Sequence, residues 1–197
     1  MAERVGVYPG SFNPPTIAHV AIAAAAREQR SLDRVVFVLS RSPINKEHID
    51  RPLFEHRVEV LHAEAARHRW MAVDVTDDRL LVEIARGYDV LVMGADKWAQ
   101  VNDPAYYDDD PRARDAAVAA LPALAIAPRP PFAVPPENSL IVDAAHVVVS
   151  SSDARAGASE WMAPAARAFD RRTGAWSDPV RYEQWLREAA TGRAIKG

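Results

Sequence analysis

The sequence predicts an α/β protein with a Rossmann-like, doubly wound parallel sheet and a small helical C-terminal extension. Two observations support this fold class. Short and nearly continuous Val/Leu runs, such as Arg34–Ser40 and Asp89–Met93, are typical of parallel strands that are buried on both faces. Longer segments with helical patterning separate these runs, so strand and helix alternate along the chain.

Each element follows from its own residues. The apolar segment Arg4–Tyr8 predicts the first strand, and the Ala-rich segment Thr16–Arg30 predicts a helix because alanine has the highest helix propensity. The later predicted elements are a strand at Arg34–Ser40, a helix at Pro52–Arg69, a strand at Met71–Val75, a helix at Asp77–Arg86, a strand at Asp89–Met93, a helix near Arg112–Ala120, and strands near Ala123–Ala127, Ser139–Val142 and His146–Val149. We expect one Rossmann-like domain over residues 1–170 and a helical tail over 171–197. The aromatic residues of the C-terminal part are expected to dock it onto the sheet: Trp161, Trp176, Tyr182 and Trp185.

The composition narrows the setting in which the chain works. A length of 197 residues, 49% of them hydrophobic, is enough for a well-formed core. The absence of cysteine excludes a disulfide framework and thiolate chemistry. A net charge of −3 argues against a nucleic-acid or polybasic membrane partner. We therefore expect a cytoplasmic protein whose partners are small molecules, and we leave a homo-oligomer open.

Two loops share an unusual pattern at the start of a helix. In the first, a strand ends before Gly10, and Thr16 is the predicted N-cap with His19 three residues later. In the second, a predicted strand precedes a serine run, with Ser152 as the predicted N-cap and Arg155 three residues later. A cation in the first turn of a helix opposes the helix dipole at a cost of about 0.3–1 kcal/mol. Because the pattern occurs twice, it predicts an absent polyanion, such as a polyphosphate, that both helix N-termini share.

The two loops also resemble the paired motifs of a known superfamily. Neither Gly-x4-Gly-Lys-Ser/Thr nor Gly-x-Gly-x-x-Gly occurs in the chain. Instead, Gly10–His19 and Ser151–Arg155 resemble the two motifs of the nucleotidyltransferase superfamily of the His-x-Gly-His type. Ser42–Lys46, His56–Arg57 and Gly94–Asp96 are similar to segments of its nicotinate and nicotinamide mononucleotide adenylyltransferases.

This resemblance implies a reaction of NAD biosynthesis. The 5′-phosphate of a pyridine mononucleotide attacks the α-phosphorus of ATP, and pyrophosphate leaves without a covalent enzyme intermediate. Such a reaction depends on positioning and on stabilising negative charge. Mg²⁺ is expected to be bound through the triphosphate, so no metal site is predicted on the protein itself.

The resemblance also implies roles for individual residues. His19 is expected to hydrogen-bond an α- or β-phosphate oxygen, with Thr16 in place of the first His of the motif. Arg155 is expected to hold the β- and γ-phosphates as a fork, and Asp96 to bind ribose hydroxyls. The other expected nucleotide-binding residues are Gly10, Ser11 and Phe12 as backbone donors, Ser151 and Ser152 beside the arginine, Gly94 where the backbone approaches the ligand, Lys46 for the acceptor phosphate, and Trp98 as a base-stacking ring.

Several readings remain open at the level of sequence. Trp98 is equally consistent with a core position, Lys97 is expected at the surface, and Arg57 has three glutamates on its own helix with which it can pair. In the family that the chain resembles, a segment with Asp-Thr at this place helps to bind the carboxylate of the pyridine ring, and Asp78-Arg79 replaces that pair here. Asp78 disfavours a carboxylate on the ring, whereas Arg79 favours one.

The identity of the acceptor is also open, because the chain departs from the family's motifs at Asp78-Arg79 and at one further position. Ala18 stands where the motif has Gly. A pyridine mononucleotide is the first candidate acceptor, and phosphopantetheine or a phospho-alcohol that accepts a cytidylyl group is the second. A paralogue that binds a nucleotide without turnover is the third interpretation.

Overall fold

Five parallel strands form the centre of the fold. The structure is a computed structural model that describes residues 2–42 and 51–191. The strands are β1 (Val5–Pro9), β2 (Arg34–Ser40), β3 (Met71–Thr76), β4 (Val90–Gly94) and β5 (Ala123–Ala127). The helices are α1 (Ile17–Gln29), α2 (Phe54–Ala65), α3 (Leu81–Ile84), α4 (Ala95–Val101), α5 (Pro111–Ala119), α6 (Ala144–Val147), α7 (Ser151–Ala156), α8 (Pro164–Thr173) and α9 (Pro179–Ala190).

The order of the strands positions the functional site. They lie in the sequence β3-β2-β1-β4-β5, so the chain extends the sheet first to one side of β1 and then to the other. The direction of extension reverses between β1 and β4, which pair in parallel. In open α/β sheets, ligands bind outside the carboxyl ends of the strands at this switch point. The predicted doubly wound fold is confirmed, and the site is expected where β1 and β4 end.

The core explains why the strands read as continuous apolar runs. Along β2, Val35, Phe37 and Leu39 belong to one buried cluster, whereas Val36 and Val38 belong to the cluster on the opposite face. Successive side chains of a strand point to opposite faces of the sheet. Because helices cover both faces of this sheet, every position of the strand from Val35 to Leu39 is apolar.

The predicted strand at Ser139–Val142 is wrong. Ser139 forms an isolated parallel bridge with Ile126, and the N–H of Leu140 donates to the Ile126 carbonyl at 2.9 Å. The pairing with β5 stops there because the chain turns outward, which leaves Ile141 84% exposed. The segment therefore touches the sheet edge without extending the sheet.

The predicted strand at His146–Val149 is also wrong. The chain forms α6 there, because the side chain of Asp143 caps the helix by accepting from the N–H of Ala145 at 2.8 Å. The apolar character of the segment does not reflect a buried strand, since Val148 is 63% exposed. The helix predicted over Asp77–Arg86 is likewise reduced to the single turn of α3.

The C-terminal helices dock onto α2 and the loop after β1, rather than onto the sheet. Tyr182 is fully buried, and its hydroxyl accepts from the N–H of Leu53 at 3.0 Å and lies 2.5 Å from His56 Nδ1. The indole N–H of Trp176 donates to the Asn13 side-chain oxygen at 2.7 Å. The domain boundary at residue 170 stays a prediction, and α8 runs through that residue. Within the described ranges, no helix is long and apolar enough to cross a membrane.

Candidate functional site

The loop between β1 and α1 is anchored through its carbonyl groups. Four of its carbonyl oxygens accept hydrogen bonds from distant residues: Ser11 from Arg57 Nη1 at 3.0 Å, Asn13 from Arg155 Nη1, Pro14 from Ser151 Oγ at 2.8 Å, and Pro15 from the N–H of Ala163 at 2.9 Å. The N–H groups of Ser11 and Phe12 make no hydrogen bond to another described residue. The N–H of Gly10, by contrast, donates to the Val38 carbonyl at 3.0 Å, because the pairing of β1 with β2 continues through it. Ser11 and Phe12 are therefore the expected backbone donors that the loop presents.

Phe12 sets the shape of this loop. Its φ of +43° lies in the left-handed region, which is rare for a bulky residue. The ring is 1% exposed and packs against Tyr8, Phe37 and His19 at centroid distances of 5.7, 5.1 and 5.2 Å. A Cβ at Gly10 would lie 2.8–3.1 Å from three atoms of the ring. Gly10 is thus required for close packing, and not as an amide donor.

His19 has a capping function that the sequence argument overlooks. Thr16 is the N-cap of α1, as predicted, and the N–H of Thr16 donates to His19 Nδ1 at 2.9 Å. A backbone N–H can only donate, so Nδ1 carries a lone pair and the hydrogen of the neutral ring lies on Nε2. The imidazole acts as the acceptor that Glu or Gln supplies in a capping box. The inference that His19 opposes the helix dipole as a cation is therefore wrong, and the structure assigns it one N–H donor.

Arg155 reaches the same loop from the other motif, but not from the first turn of a helix. Ser150 is the N-cap of α7, since its Oγ accepts from the N–H of Asp153 at 3.0 Å. The prediction of Ser152 as N-cap is wrong because the preceding residues form α6 and not a strand. Arg155 is the fifth residue of α7, and its guanidinium donates to the Asn13 carbonyl and to Ser152 Oγ at 3.2 Å. The two motifs therefore meet in space, as the sequence predicts.

The end of β4 places a carboxylate at the switch point. Gly94 is the N-cap of α4, and a Cβ at Gly94 would lie 2.5 Å from Asp96 Oδ1. The carboxylate thus folds back over the Gly94 backbone, and it accepts no hydrogen bond from another residue that the structure describes. Burial raises the pKa of the Tyr8 hydroxyl, and the charge of Asp96 raises it further. Tyr8 therefore remains protonated beside this carboxylate at physiological pH.

A cavity of about 280 Å³ reaches the loop after β1. Apolar and aromatic side chains from α3, α4, α5 and the turn after α4 form most of its wall. Three cationic side chains also line it: Arg57, Arg79 and Lys97. No Asp or Glu lines it among the described residues, and Asp78 is outside its wall. The cavity therefore suits a ligand with an apolar ring and negative charge.

Arg57 supplies the buried charge nearest the loop. It is 7% exposed, and its guanidinium donates to the Ser11 carbonyl and lies 5.3 Å from the Phe54 ring centroid. The expected alternative, an ion pair with a glutamate of its own helix, does not occur among the described residues. Burial lowers the pKa of Arg57. A buried guanidinium that forms no ion pair with a carboxylate of the described residues is a favourable place for a phosphate.

Lys97 contradicts the expectation of a surface residue. It is partly buried in the cavity, and its Nζ donates to Gln100 Oε1 at 2.7 Å. Burial lowers the pKa of its ammonium, whereas the charge of Asp96 raises it. The sequence does contain a signal for this position, because Lys97 follows directly on a residue expected at the carboxyl end of a strand.

The remaining predicted residues are placed as follows. Trp98 is partly buried against the core cluster on one face of the sheet, which agrees with the alternative reading as a core residue. Ala18 is 4% exposed, so its extra methyl group faces the protein interior. Lys46 lies outside the described residues. No group of three or more His, Asp or Glu side chains in residues 2–42 and 51–191 is arranged to hold a metal ion.

A comparison with family models decides the family. Residues 7–157 match the cytidylyltransferase-like model, which spans both motifs and most of the chain. The chain belongs to the cytidylyltransferase-like family. All five strands of the sheet fall wholly or largely in the matched region, whereas α8 and α9 follow it.

Curated relatives match the chain over part of their length. The chain is 34% identical over 79 residues to a probable nicotinate-nucleotide adenylyltransferase of Gloeobacter violaceus, which is 40% of the chain and 38% of that relative. It is 30% identical over 78 residues to the protein of the same name from Desulfotalea psychrophila, covering 40% of the chain and 37% of that relative. The chain thus matches less than two fifths of the length of these curated relatives.

A solved structure supports the fold. Nicotinic acid mononucleotide adenylyltransferase of Plasmodium falciparum, complexed with NaAD, superposes with a TM-score of 0.63 and 13% sequence identity. The superposition covers 91% of the chain and all of that structure. At this identity the likeness concerns the arrangement of helices and strands alone.

Proposed function

We propose that the protein is an adenylyltransferase of NAD biosynthesis, which transfers AMP from ATP to the 5′-phosphate of nicotinate mononucleotide and releases pyrophosphate. The observation that carries this proposal is the convergence of three donor types at the switch point of the sheet. His19 Nε2–H, the loop N–H groups and the guanidinium of Arg155 belong to one assembly, beside a cavity with cationic walls. The names of the curated relatives agree with the proposal.

The donor side binds the triphosphate of ATP. The N–H groups of Ser11 and Phe12 and the Nε2–H of His19 donate to oxygens around the α-phosphorus. Arg155 uses two donors for Asn13 and Ser152, and a guanidinium has five N–H groups in all. Its remaining donors hold the β- and γ-phosphates, and Mg²⁺ enters as part of the substrate, bound to phosphate oxygens.

The nucleoside of ATP lies along the end of β4. The Asp96 carboxylate accepts from the ribose hydroxyls, because it lies next to the backbone of Gly94 and accepts no hydrogen bond from another described residue. The absence of a side chain at Gly94 keeps the carboxylate in this position. Ser151 supports the site indirectly, since its hydroxyl is used to hold Pro14.

The acceptor occupies the cavity. Its phosphate lies at the Arg57 end, next to Ser11. The family resemblance assigns Lys46 to the same phosphate. The pyridine ring lies among the apolar and aromatic side chains beyond. The phosphate then attacks the α-phosphorus in line with the departing pyrophosphate, and the protein contributes positioning and charge stabilisation.

The acceptor class follows from the charges on the wall. Asp78 and Arg79 favour opposite substituents on the ring, but only Arg79 lines the cavity. With three cations and no carboxylate among the described wall residues, the cavity favours a ring that bears a carboxylate. Nicotinate mononucleotide is therefore preferred to nicotinamide mononucleotide. A cytoplasmic location, a homo-oligomer and the lack of nucleic-acid or membrane partners stay predictions.

The proposal is tested by measuring pyrophosphate release from Mg-ATP with one candidate acceptor at a time. We expect release with nicotinate mononucleotide, and a loss of about 10²–10³-fold in kcat for His19→Gln, because one preorganised donor is removed. Glutamine at this position can still complete the capping box, so the fold is retained. His62→Gln, at an exposed position of α2, is the control. Release with phosphopantetheine or a phospho-alcohol alone, or ATP binding without release, would refute the proposal.

A further inference from the structure

We propose that Lys97 and Gln100 form the specificity-determining pair of the cavity and select a carboxylate over a carboxamide on the acceptor ring. This inference rests on the proposed function and deepens it, because it assigns the selection of the acceptor to two residues of α4. It also converts Lys97 from an expected surface residue into a recognition residue.

Lys97 has a neutral hydrogen-bond partner in the cavity wall. Lys97 is partly buried in the cavity wall, and its contact partner, Gln100 Oε1 at 2.7 Å, is neutral. An ammonium has three N–H donors, and this contact accounts for one of them. None of the ion pairs among the described residues includes Lys97. The positive charge therefore faces a cavity whose described wall holds no carboxylate.

The orientation of the Gln100 amide provides a second hydrogen-bond donor. Because Oε1 of Gln100 accepts from Lys97, the amide nitrogen of Gln100 is the group that can donate to a ligand. The pair thus offers donors from both residues. A carboxylate has two acceptor oxygens and satisfies both donors. A carboxamide has one oxygen, and its NH₂ group meets a donor, so the pair discriminates against it.

Lys97 and Gln100 occupy a different part of the cavity wall from the other two cationic residues. Arg57 is held at the Ser11 carbonyl, at the end of the cavity where the acceptor phosphate is placed. Arg79 is an exposed residue of the cavity wall. Lys97 and Gln100 lie one turn apart on α4, and the next residue, Val101, belongs to the apolar wall that surrounds the ring. The acceptor therefore carries one anionic group for Arg57 and a second for Lys97.

The test measures calorimetric binding of nicotinate mononucleotide and nicotinamide mononucleotide to the full chain, which does not depend on turnover. We expect Lys97→Gln to weaken binding of nicotinate mononucleotide by about 10-fold to 100-fold and to leave the nicotinamide form within a few-fold. Lys97→Arg keeps the charge and is expected to keep the preference. Arg112→Gln removes an exposed charge from α5 outside the cavity and is the matched control.

A second variant is expected to change which of the two mononucleotides the protein prefers. Gln100→Glu places a carboxylate against Lys97, which neutralises the ammonium and supplies an acceptor for an amide NH₂. We expect the preference to shift toward nicotinamide mononucleotide. Equal weakening of both ligands by Lys97→Gln, no change, or failure of nicotinate mononucleotide to bind the wild-type protein would overturn the inference. If binding is selective as expected but pyrophosphate release is absent, the proposed reaction fails and the inference stands.

Discussion

Replacement of Gly10 by alanine tests how the loop after β1 works. The new Cβ would lie 2.8–3.1 Å from three atoms of the Phe12 ring. Ordinary carbon–carbon contacts are at about 3.5–4.0 Å, so the ring or the backbone must move by about 0.7 Å. The ring cannot turn away freely, because it is 1% exposed and touches Tyr8, Phe37 and His19.

The expected cost of Gly10→Ala has two parts. Overpacking lowers the free energy of unfolding by about 1–3 kcal/mol. The displacement also moves Ser11 and Phe12, whose N–H groups are the proposed phosphate donors. Since a misplacement of about 1 Å can cost 10²-fold in rate, we expect kcat/KM for ATP to fall by about that factor.

Gly6→Ala is the matched control for this prediction. A Cβ at Gly6 would lie 2.7 Å from Leu32 Cδ1, so the clash is equally close. It involves the end of a buried core side chain and not the loop after β1. Both variants are compared by urea unfolding and by steady-state pyrophosphate release. We expect a similar loss of stability from both and a loss of activity from Gly10→Ala alone. Equal activity losses would refute the reasoning that the loop is the phosphate site.

Three further predictions follow from other contacts. Gly94→Ala is expected to displace the Asp96 carboxylate and raise the KM for ATP about 10-fold with little loss of stability, as judged by kinetics and unfolding; an unchanged KM would remove Asp96 from the donor site. Burial lowers the pKa of His56 in the folded chain, so its protonation opposes folding: stability is complete above the unfolded pKa of about 6.5 and is lost as the pH falls toward the folded pKa. Urea unfolding between about pH 5 and 8 should show this slope in the wild type and a smaller one in His56→Gln. Trp176→Phe removes the donor to the buried oxygen of Asn13 and should cost about 1–3 kcal/mol in urea unfolding, whereas a change below experimental error would show that Asn13 finds another partner.

The three central strands, β1, β2 and β4, could be predicted because burial on both faces leaves a clear signal in the sequence. In β2 each residue from Val35 to Leu39 is apolar, since alternate side chains enter different core clusters. The segment His146–Val149 has the same composition but a different structure. There a local contact, the cap that Asp143 provides, favours one turn of helix, and no neighbouring strand competes for the backbone. Amino-acid composition alone does not show whether a helix cap or a neighbouring strand is available to the backbone.

The residues of the site could be predicted better than their roles. The sequence correctly brings His19 and Arg155 to one loop, but the dipole argument that leads there fails in both places. His19 acts as a neutral acceptor in a capping box, and Arg155 is not in the first turn of α7. The burial of Arg57 and Lys97, and the absence of an ion pair with a carboxylate among the described residues, could not be predicted, because they are properties of the tertiary structure.

Isotopic labelling of the acceptor tests the central claim most directly. Nicotinate mononucleotide with ¹⁸O in its phosphate is incubated with the protein and Mg-ATP, and the products are separated and analysed by mass spectrometry. If the phosphate attacks the α-phosphorus of ATP, the label is found in the dinucleotide and is absent from pyrophosphate. Label in pyrophosphate, release of unlabelled AMP in place of a dinucleotide, or no reaction while ATP remains bound would contradict the account.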